Sequence, residues 1–473
     1  MDHSHGMAAS LRSISAPQSR SFTGMFGRMF RELPAWDPGG KDDAENIEAI
    51  EGIAAQMVET AGDVQKGDIP DFPAGYTFFG QFIDHDLTFD PRSSLQRDND
   101  PDNLEDFRSP SFDLDCVYGR GPDDQPYLFS SASGRKKFLL GTGDKDLPRI
   151  DDTAIIGDMR NDENLLISQM QLAFLKFHNE VYDNISGNKS FADPFAEAQR
   201  IVRWHYQWVV IHDWLTRLCG KKLVNDLLTG SGCPGKPRLC YYSYRDYPFM
   251  PVEFSVAAYR LPHSTMRAEY KINNTVPPLQ LFLPQGQMGP DLKGFQPVPA
   301  NHVVEWCHLL EFSGKPKPQA MRKIDKLLCA PVIHLPDKIA PEAPVPSPIK
   351  PPVPNDIGRS LAFRNLLRGF RFGLPSGQSI ARRIGAEKIL PGDTPLWRYM
   401  LDEAEAHEDG NRLGEVGARI TAETFVGLLA ADPSSYYSTY PGWTPKLETA
   451  LKIPSETDDF QLRDIIKFAG API

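Results

Sequence analysis

Residues 75–91 have the sequence GYTFFGQFIDHDLTFDP, in which Asp84, His85 and Asp86 follow one another inside an otherwise apolar stretch. Because an α-helix turns once in about 3.6 residues, three successive side chains point in three directions and meet different partners. Burying two carboxylates and an imidazole together is costly unless they pair or bind another group. The stretch therefore predicts a buried helix whose polar cluster is either a cap at the helix end or part of a functional site.

A second acidic pattern lies in SPSFDLDCVYG, residues 109–119. Asp113 and Asp115 alternate, so in an extended loop both carboxylates would face one side. Ser109 and Ser111 add oxygen atoms nearby, and Ca²⁺ binds hard oxygen ligands of this kind. The pattern lacks the spacing of an EF-hand, and a solvated turn is the alternative interpretation.

The segment DMRNDEN, residues 158–164, opens the clearest amphipathic helix of the chain. Apolar residues recur at helical spacing from Glu163 to Ile185, which predicts a helix with a wide buried face. Arg160 and Glu163 are three residues apart and would share one face of a helix. They form either a surface ion pair or the charged part of a site.

Two further motifs place polar side chains in apolar helical settings. His263 follows the apolar run of EFSVAAYRLPHSTMR, residues 253–267, where a lone histidine is either a core residue or a metal ligand. In LAFRNLLRGFRFGLPSGQ, residues 361–378, Asn365 and Arg368 share a helical face. An asparagine in such a helix is destabilising unless its amide is hydrogen-bonded.

The remaining periodicity is helical, and convincing strand alternation is rare. Further helices are predicted over 196–220, 301–312, 356–370, 395–406 and 421–431. The fold class is therefore mainly α, a single large helical domain with few short strands and long loops. We expect a flexible N-terminal tail over 1–40 and the domain over 41–473, with a proline-rich loop at 335–354 inside it.

Charge and composition argue against several classes of protein. The formal net charge is −11, which repels phosphate backbones and argues against a nucleic-acid partner. No stretch approaches the roughly 20 apolar residues that span a bilayer, and a classical signal peptide is not evident. We expect a cytoplasmic or non-classically exported protein with six free thiols, although export would allow a Cys233–Cys240 bridge.

Together and in this order, the motifs resemble the signature blocks of the animal-type haem peroxidases, or peroxidase–cyclooxygenase superfamily, and especially its bacterial members. The matching blocks are GQFIDHDLTFDP, the DLDxVYG loop, RNDEN, EFSVAAYRLPH and LAFRNLLRG. The resemblance runs from about residue 75 to about residue 378, most of the chain. It implies a helical haem-peroxidase domain with haem b as its cofactor and hydrogen peroxide as a substrate.

The resemblance assigns three residues to the distal face of the haem, where peroxide binds. His85 matches the histidine that takes the peroxide proton and delivers it to the departing oxygen. Arg160 matches the arginine whose charge stabilises that oxygen. Gln81 matches the glutamine that lines the peroxide or halide pocket.

Two further residues are assigned to the opposite, proximal face, and a third to a haem propionate. His263 matches the ligand of the haem iron, and Asn365 matches the asparagine that accepts the other N–H of that ligand. This second hydrogen bond fixes the tautomer of the ligand and makes it more electron-donating. Arg368 matches a residue placed near a haem propionate.

Asp84 and Glu163 match the carboxylates that form ester bonds to haem methyl groups in many relatives, so ester-linked haem is expected. One mammalian enzyme forms an additional sulfonium bond through a methionine, but this chain has Asn164 at that position. The resemblance also implies a structural Ca²⁺ ion. Its expected ligands are Asp86, Ser109, Ser111, Asp113 and Asp115.

The implied reaction is the reduction of hydrogen peroxide to water with oxidation of a halide, a pseudohalide or a small aromatic donor. A fatty-acid dioxygenase on the same fold is the first alternative. Its tyrosine lies three residues before the proximal histidine, where this chain has Arg260, and Tyr259 is one position off. A non-enzymatic haem- or calcium-binding scaffold is the second alternative, and the retention of His85 and Arg160 argues against it.

Overall fold

The computed structural model describes residues 26–59, 67–88, 110–230, 232–244, 248–283, 287–333, 335 and 360–473. Within these ranges the protein is mainly helical with few short strands, as predicted. The α-helices are α1 (Asp43–Ala55), α2 (Gly75–Leu87), α3 (Asp115–Tyr118), α4 (Leu165–Ile185), α5 (Pro194–Trp208), α6 (Thr216–Cys219), α7 (Lys221–Thr229), α8 (Ala330–Ile333), α9 (Leu361–Arg371), α10 (Gly377–Ile384), α11 (Leu396–Glu408), α12 (Glu415–Ala431), α13 (Tyr436–Thr439) and α14 (Leu462–Phe468).

The strands of the described part are short and pair two by two. They are β1 (Phe26–Gly27), β2 (Asp68–Pro73), β3 (Arg149–Ile150), β4 (Thr153–Ala154), β5 (Met250–Pro251), β6 (Glu269–Tyr270), β7 (Leu279–Gln280) and β8 (Ala320–Arg322). Strand β1 pairs with β5 in parallel, while the pairs β2–β8, β3–β4 and β6–β7 are antiparallel. The helices therefore determine the architecture, and the strands only join neighbouring segments.

Helix α2 carries the DHD cluster through the hydrophobic core. All of its residues are buried except Gln81. The ring of Phe82 stacks on Phe174 of α4 with centroids 4.6 Å apart, and burying one such ring contributes about 1.5–3 kcal/mol. The helix ends where Thr88 becomes extended and its hydroxyl donates to the carbonyl of Asp84 at 3.0 Å.

Helix α4 begins at Leu165, two residues after the predicted start at Glu163. The side-chain oxygen of Asn164 accepts from the backbone N–H of Ile167 at 2.9 Å, which caps the helix and leaves residues 158–163 outside it. The preceding 3₁₀ turn, Met159–Asp162, is held by two hydrogen bonds of 2.6 and 2.7 Å from Arg149 to the Asp162 carboxylate. Because α4 packs against α2, this fixed turn lies beside the DHD cluster.

The segment that leads to His263 is helical, as predicted, but it is not an α-helix. A π-helical stretch, Glu253–Ala257, passes directly into a 3₁₀ stretch, Ala258–His263. Pro262 lies inside the second stretch and has no N–H to donate, which is compatible with such irregular geometry. Single π-helical turns are rare and are frequent at functional sites.

The prediction of a flexible tail through residue 40 is wrong for residues 26–40. Phe26 and Phe30 are buried in the hydrophobic core, and β1 pairs with β5. The backbone N–H groups of Met29 and Phe30 donate to the buried Glu253 carboxylate at 3.1 and 3.0 Å. These long-range contacts order a segment whose basic, serine-rich surroundings suggested a tail.

Two predicted helices also differ from the structure. The segment 301–312 contains only the 3₁₀ turn Trp306–His308, because its backbone pairs with distant segments: the N–H of Glu305 donates to Ile272 and that of Trp306 to Pro472. The long helix predicted over 196–220 is divided into α5, a π-helical stretch at Val209–Leu215, and α6.

Two other predictions concern residues that lie largely outside the described part of the chain. The tail residues 1–25 and all of the proline-rich loop except Leu335 lie outside it. None of the helices in the described ranges combines the length and apolar character that crossing a bilayer requires. Cys240 is a free thiol, so the alternative bridge to Cys233 is not formed.

Candidate active site

A cavity of about 370 Å³ lies between α2, α9 and the segment Glu253–His263. Its volume is in the range of about 300–1,000 Å³ that is typical of small-molecule and cofactor sites. Eight residues predicted for a haem site line this one cavity, although they come from four separate parts of the sequence. They are Gln81, Asp84, His85, Arg160, Glu163, His263, Asn365 and Arg368.

His85 is held in a fixed orientation at the wall of the cavity. Its Nδ1 lies 2.7 Å from the side-chain oxygen of Asn161, a residue that the sequence analysis did not single out. Burial, reinforced by the positive charge of Arg160, lowers the pKa of His85 to about 4. The imidazole is therefore neutral at pH 7, as a proton acceptor must be.

Arg160 is fixed beside His85 by two kinds of hydrogen bond. Its Nε and Nη2 donate to the Asp158 carboxylate at 3.1 and 2.8 Å, and Nη2 also donates to the backbone carbonyl of His85 at 3.0 Å. The guanidinium lines the cavity and carries a fixed positive charge. It can therefore stabilise negative charge that develops in the cavity.

Gln81 joins the distal residues to the start of α4. Its amide donates to the Glu163 carboxylate, while its oxygen accepts from the amide of Asn164 at 3.2 Å. The Glu163 carboxylate lies 4.0 Å from Nε2 of His85. Burial raises the pKa of Glu163 to about 7, so this carboxylate binds a proton more readily than an ordinary glutamate does.

Asp84 faces the same cavity but is ionised. Burial alone would raise its pKa, yet the charge of Arg260, whose Nη1 lies 3.4 Å from the carboxylate, lowers it below the ordinary value. The hydroxyl of Thr88 donates to the other carboxylate oxygen at 3.1 Å. The pKa values of the two predicted ester positions, Asp84 and Glu163, are therefore shifted in opposite directions.

His263 and Asn365 make the predicted contact with one difference. The amide nitrogen of Asn365, rather than its oxygen, lies 2.9 Å from Nδ1 of His263. In this arrangement the amide donates and the imidazole accepts. Half a turn of the amide exchanges its two atoms, so that its oxygen accepts from Nδ1–H and Nε2 is available to a metal. Burial lowers the pKa of His263 to about 3, which keeps this imidazole neutral as well.

Helix α9 brings two arginines to the cavity, and only Arg368 was predicted there. Arg364 and Arg368 are four residues apart, on one face of the helix, and both line the cavity. Burial lowers the pKa of Arg364. The four-residue spacing within an apolar helix was the signal by which Arg364 could have been found.

The residues predicted to bind calcium lie apart from the cavity. Asp86 is fully buried and accepts from the backbone N–H of Leu114 at 3.3 Å, which brings the acidic segment to α2. That segment is not extended as predicted: Leu114 has a positive φ of 61°, and Asp115 begins α3. The Ser111 hydroxyl instead donates to Asp113 at 2.7 Å. Ser109 lies outside the described residues.

Another group of potential metal ligands lies away from the cavity. Glu305, Cys307 and His308 offer one atom each within 4.8 Å of one another. Burial and the positive charge of Lys271 lower the pKa of His308, and the amide of Asn274 already donates to Glu305 at 2.9 Å. This group does not contribute to the haem-site geometry.

Comparison with known proteins agrees with this geometry. Residues 108–285 match the family model of the animal haem peroxidases. The structure is similar to peroxidase A from Dictyostelium discoideum, with a TM-score of 0.62, 15% identity and coverage of 95% of this chain and 93% of that one. No curated protein sequence is detectably similar to this chain.

Two plant enzymes share the same fold. Fatty acid alpha-dioxygenase from Oryza sativa has a TM-score of 0.56 and 13% identity, with coverage of 88% of this chain and 75% of that one. Fatty acid alpha-dioxygenase from Arabidopsis thaliana has a TM-score of 0.56 and 14% identity, with coverage of 92% and 74%. Residues 108–285 are thus similar in sequence to the animal haem peroxidase family, and the fold of this chain is similar to that of a peroxidase and of two fatty acid alpha-dioxygenases.

Proposed function

We propose that the protein is a haem peroxidase that reduces hydrogen peroxide to water and oxidises a halide, a pseudohalide or a small aromatic donor. The observation that carries this proposal is the distal group itself. A neutral histidine, His85, stands beside the fixed guanidinium of Arg160 in the cavity that also contains His263. With a halide the reaction balances as peroxide, halide and one proton giving hypohalous acid and water.

The cavity residues fit a haem group. His263 would bind the iron through Nε2, and the carboxylate-binding geometry of guanidinium suits Arg364 and Arg368 for the two propionates. Apolar residues, including Val256 and Leu281, line the remaining wall. When bound, the haem supplies the redox chemistry of the reaction.

The chain's own residues would manage the protons and charge of peroxide cleavage. His85 accepts the proton from the bound oxygen of peroxide at Nε2 and returns it to the oxygen that leaves as water. Arg160 stabilises the negative charge that develops on that oxygen while the O–O bond breaks. Gln81, held by its contacts with Glu163 and Asn164, would restrict the space for peroxide beside a bound haem.

We also propose that Asp84 and Glu163 become ester-linked to the haem. With haem bound, each ester would join a carboxylate oxygen to a haem methyl carbon, and the methyl group and carboxylate would together lose one proton and two electrons. Peroxide, the substrate of the proposed reaction, accepts those electrons. Haem that is fully extracted by acidic organic solvent after peroxide treatment would contradict the linkage.

A calcium ion is the third part of the proposal. Asp86 supplies a buried carboxylate next to His85, and Ser111, Asp113 and Asp115 supply further oxygen atoms on a segment bonded to Asp86 through Leu114. These are the hard oxygen ligands that Ca²⁺ prefers. Bound there, the ion would hold the acidic segment against α2.

Fatty-acid dioxygenation is the second candidate, because the alpha-dioxygenases share the fold. Tyr259 lines the cavity despite its shifted position, but its hydroxyl donates to the carbonyl of Gly80 at 3.0 Å. Arg260 occupies the position that a dioxygenase tyrosine would take and pairs with Asp84. These two contacts favour peroxidase chemistry.

The proposal is tested with the haem-loaded full-length protein. We expect a rapid shift of the Soret band on addition of peroxide, followed by oxidation of at least one donor among chloride, bromide, iodide, thiocyanate and a phenol. Oxygen uptake with linoleate in the absence of donor oxidation would identify the dioxygenase instead. Failure to bind haem at all would overturn both enzymatic functions and would favour the non-enzymatic scaffold.

A further inference from the structure

We propose that Asn161 and Gln171 form a buried amide relay that fixes the tautomer of His85, so that its Nδ1 carries the proton and its Nε2 faces the cavity as the acceptor. The two amides are positioning residues, since neither lines the cavity. The functional part of this inference rests on the proposed peroxidase reaction, because His85 is its proton acceptor. The tautomer itself depends only on contacts within the chain.

The relay consists of three consecutive hydrogen bonds in the protein interior. The side-chain oxygen of Asn161 lies 2.7 Å from Nδ1 of His85. The Asn161 amide donates to the side-chain oxygen of Gln171 at 2.8 Å, and the Gln171 amide donates to the backbone carbonyl of Cys116 at 3.4 Å. Asn161 and Gln171 are both fully buried, so water does not offer them an alternative partner.

The final acceptor determines the direction of every bond in the relay. The backbone carbonyl of Cys116 can only accept, so Gln171 must present its NH₂ group to it and its oxygen to Asn161. Asn161 must then donate with its NH₂ group, which turns its oxygen toward His85. An oxygen at that position requires a proton on Nδ1 of His85. Reversal of either amide would place two acceptors or two donors opposite each other, at a cost that burial makes larger.

The relay is anchored at both ends in rigid structure. Asn161 belongs to the 3₁₀ turn that Arg149 holds through Asp162, and Gln171 lies in the buried part of α4. Cys116 lies in α3, on the segment whose Leu114 N–H bonds to Asp86. One short segment therefore contacts α2 directly at Asp86 and through the relay at His85.

The experiment measures the tautomer of His85 in full-length protein labelled with ¹⁵N-histidine, by long-range ¹H–¹⁵N correlation spectra. Spectra are recorded for the protein as purified and after loading with ferrous haem and carbon monoxide, and the His85→Gln variant assigns the signal. We expect a protonated Nδ1 and an unprotonated Nε2 at pH 7 in both states. Observation of the opposite tautomer in wild-type protein would overturn the relay.

Three variants separate positioning from general stability. Asn161→Ala removes the acceptor and should release the tautomer, whereas Asn161→Asp keeps an acceptor oxygen and should retain the proton on Nδ1. The matched control is Asn179→Ala on the same helix as Gln171, because Asn179 is a buried asparagine whose amide bonds only to the backbone of Phe138. It should cost comparable stability and leave the His85 tautomer unchanged.

The functional readout is the rate at which the haem-loaded variants react with peroxide. We expect Asn161→Ala to slow this reaction by about 10–100-fold, as loss of an orienting outer hydrogen bond commonly does, with unchanged haem content. A slow reaction with an unchanged tautomer would refute the relay, and an altered tautomer with a wild-type rate would refute its role in the reaction. A wild-type protein that shows the expected tautomer but no reaction with peroxide would instead refute the proposed function.

Discussion

Replacing Arg260 by leucine should destabilise the folded protein, because it removes a charged partner of the Asp84 carboxylate at the cavity wall. Nη1 of Arg260 lies 3.4 Å from the Asp84 carboxylate, and at an effective dielectric constant of about 20 two unit charges at this distance attract by about 5 kcal/mol. The side chains are 22% and 12% exposed, so solvent screens part of this attraction. We therefore expect the free energy of unfolding to fall by about 3 kcal/mol, near the lower end for broken buried pairs.

The assay is urea unfolding of haem-free, full-length protein in a double-mutant cycle. Wild type, Arg260→Leu, Asp84→Asn and the double variant are compared at pH 7. Since Asp84→Asn removes the charge that Arg260→Leu leaves unpaired, the double variant should recover most of the loss. The expected coupling energy is about 2–3 kcal/mol, and a value below about 0.5 kcal/mol would refute the account of Asp84 as a carboxylate held by Arg260.

The same cycle has a pH dependence of known sign. The folded-state pKa of Asp84 lies below its ordinary value of 3.8, so the stability gained from ionisation is present above pH 3.8 and is lost as pH falls through the lower folded value. Without Arg260, burial dominates and the folded pKa rises. The ionised Asp84 then opposes folding at neutral pH, and this penalty should diminish as the pH is lowered.

Three other outcomes follow from the site. In pH-jump stopped-flow experiments from pH 7, the rate of the peroxide reaction should stay constant down to about pH 5. The rate should fall as the pH passes through about 4, because the neutral form of His85 is lost there. A midpoint near pH 6.5 would contradict the buried, neutral imidazole. Arg364→Met and Arg368→Met should each lower haem affinity about tenfold, as expected for a lost charged hydrogen bond of roughly 1.5 kcal/mol, measured by haem transfer to a competing acceptor; an unchanged affinity in the double variant would exclude their contact with propionates. Removal of Ca²⁺ with a chelator should lower Tm in wild type but not in Asp86→Asn, and an equal response in both would place the ion elsewhere.

The sequence predicted the elements that carry the site because their patterns are local. The apolar stretch around Asp84–Asp86 forms α2, and the periodic stretch after Asn164 forms α4. In the structure, all eight of the residues expected at the haem site line one cavity. Their grouping was expected from the family resemblance, since helical periodicity alone does not place separate helices against one another.

Features that depend on long-range contacts were not predictable in this way. The segment beginning at Phe26 lines the cavity only because β1 pairs with β5 and the Glu253 carboxylate accepts two of its backbone N–H groups. The segment before His263 has π and 3₁₀ geometry, but its apolar pattern fits an α-helix equally well. Asn161 lies inside a motif that the sequence analysis recognised. Its hydrogen bond to the His85 ring, however, depends on the folded arrangement of the two segments.

In the proposed function, His85 accepts the peroxide proton and His263 would bind the haem iron. The decisive measurement is the rate of the peroxide reaction of haem-loaded His85→Ala, followed by stopped-flow. We expect haem content to stay at the wild-type level while the rate constant falls by about 10²–10⁴-fold. A rate constant close to that of wild type, with the haem site fully occupied, would contradict it.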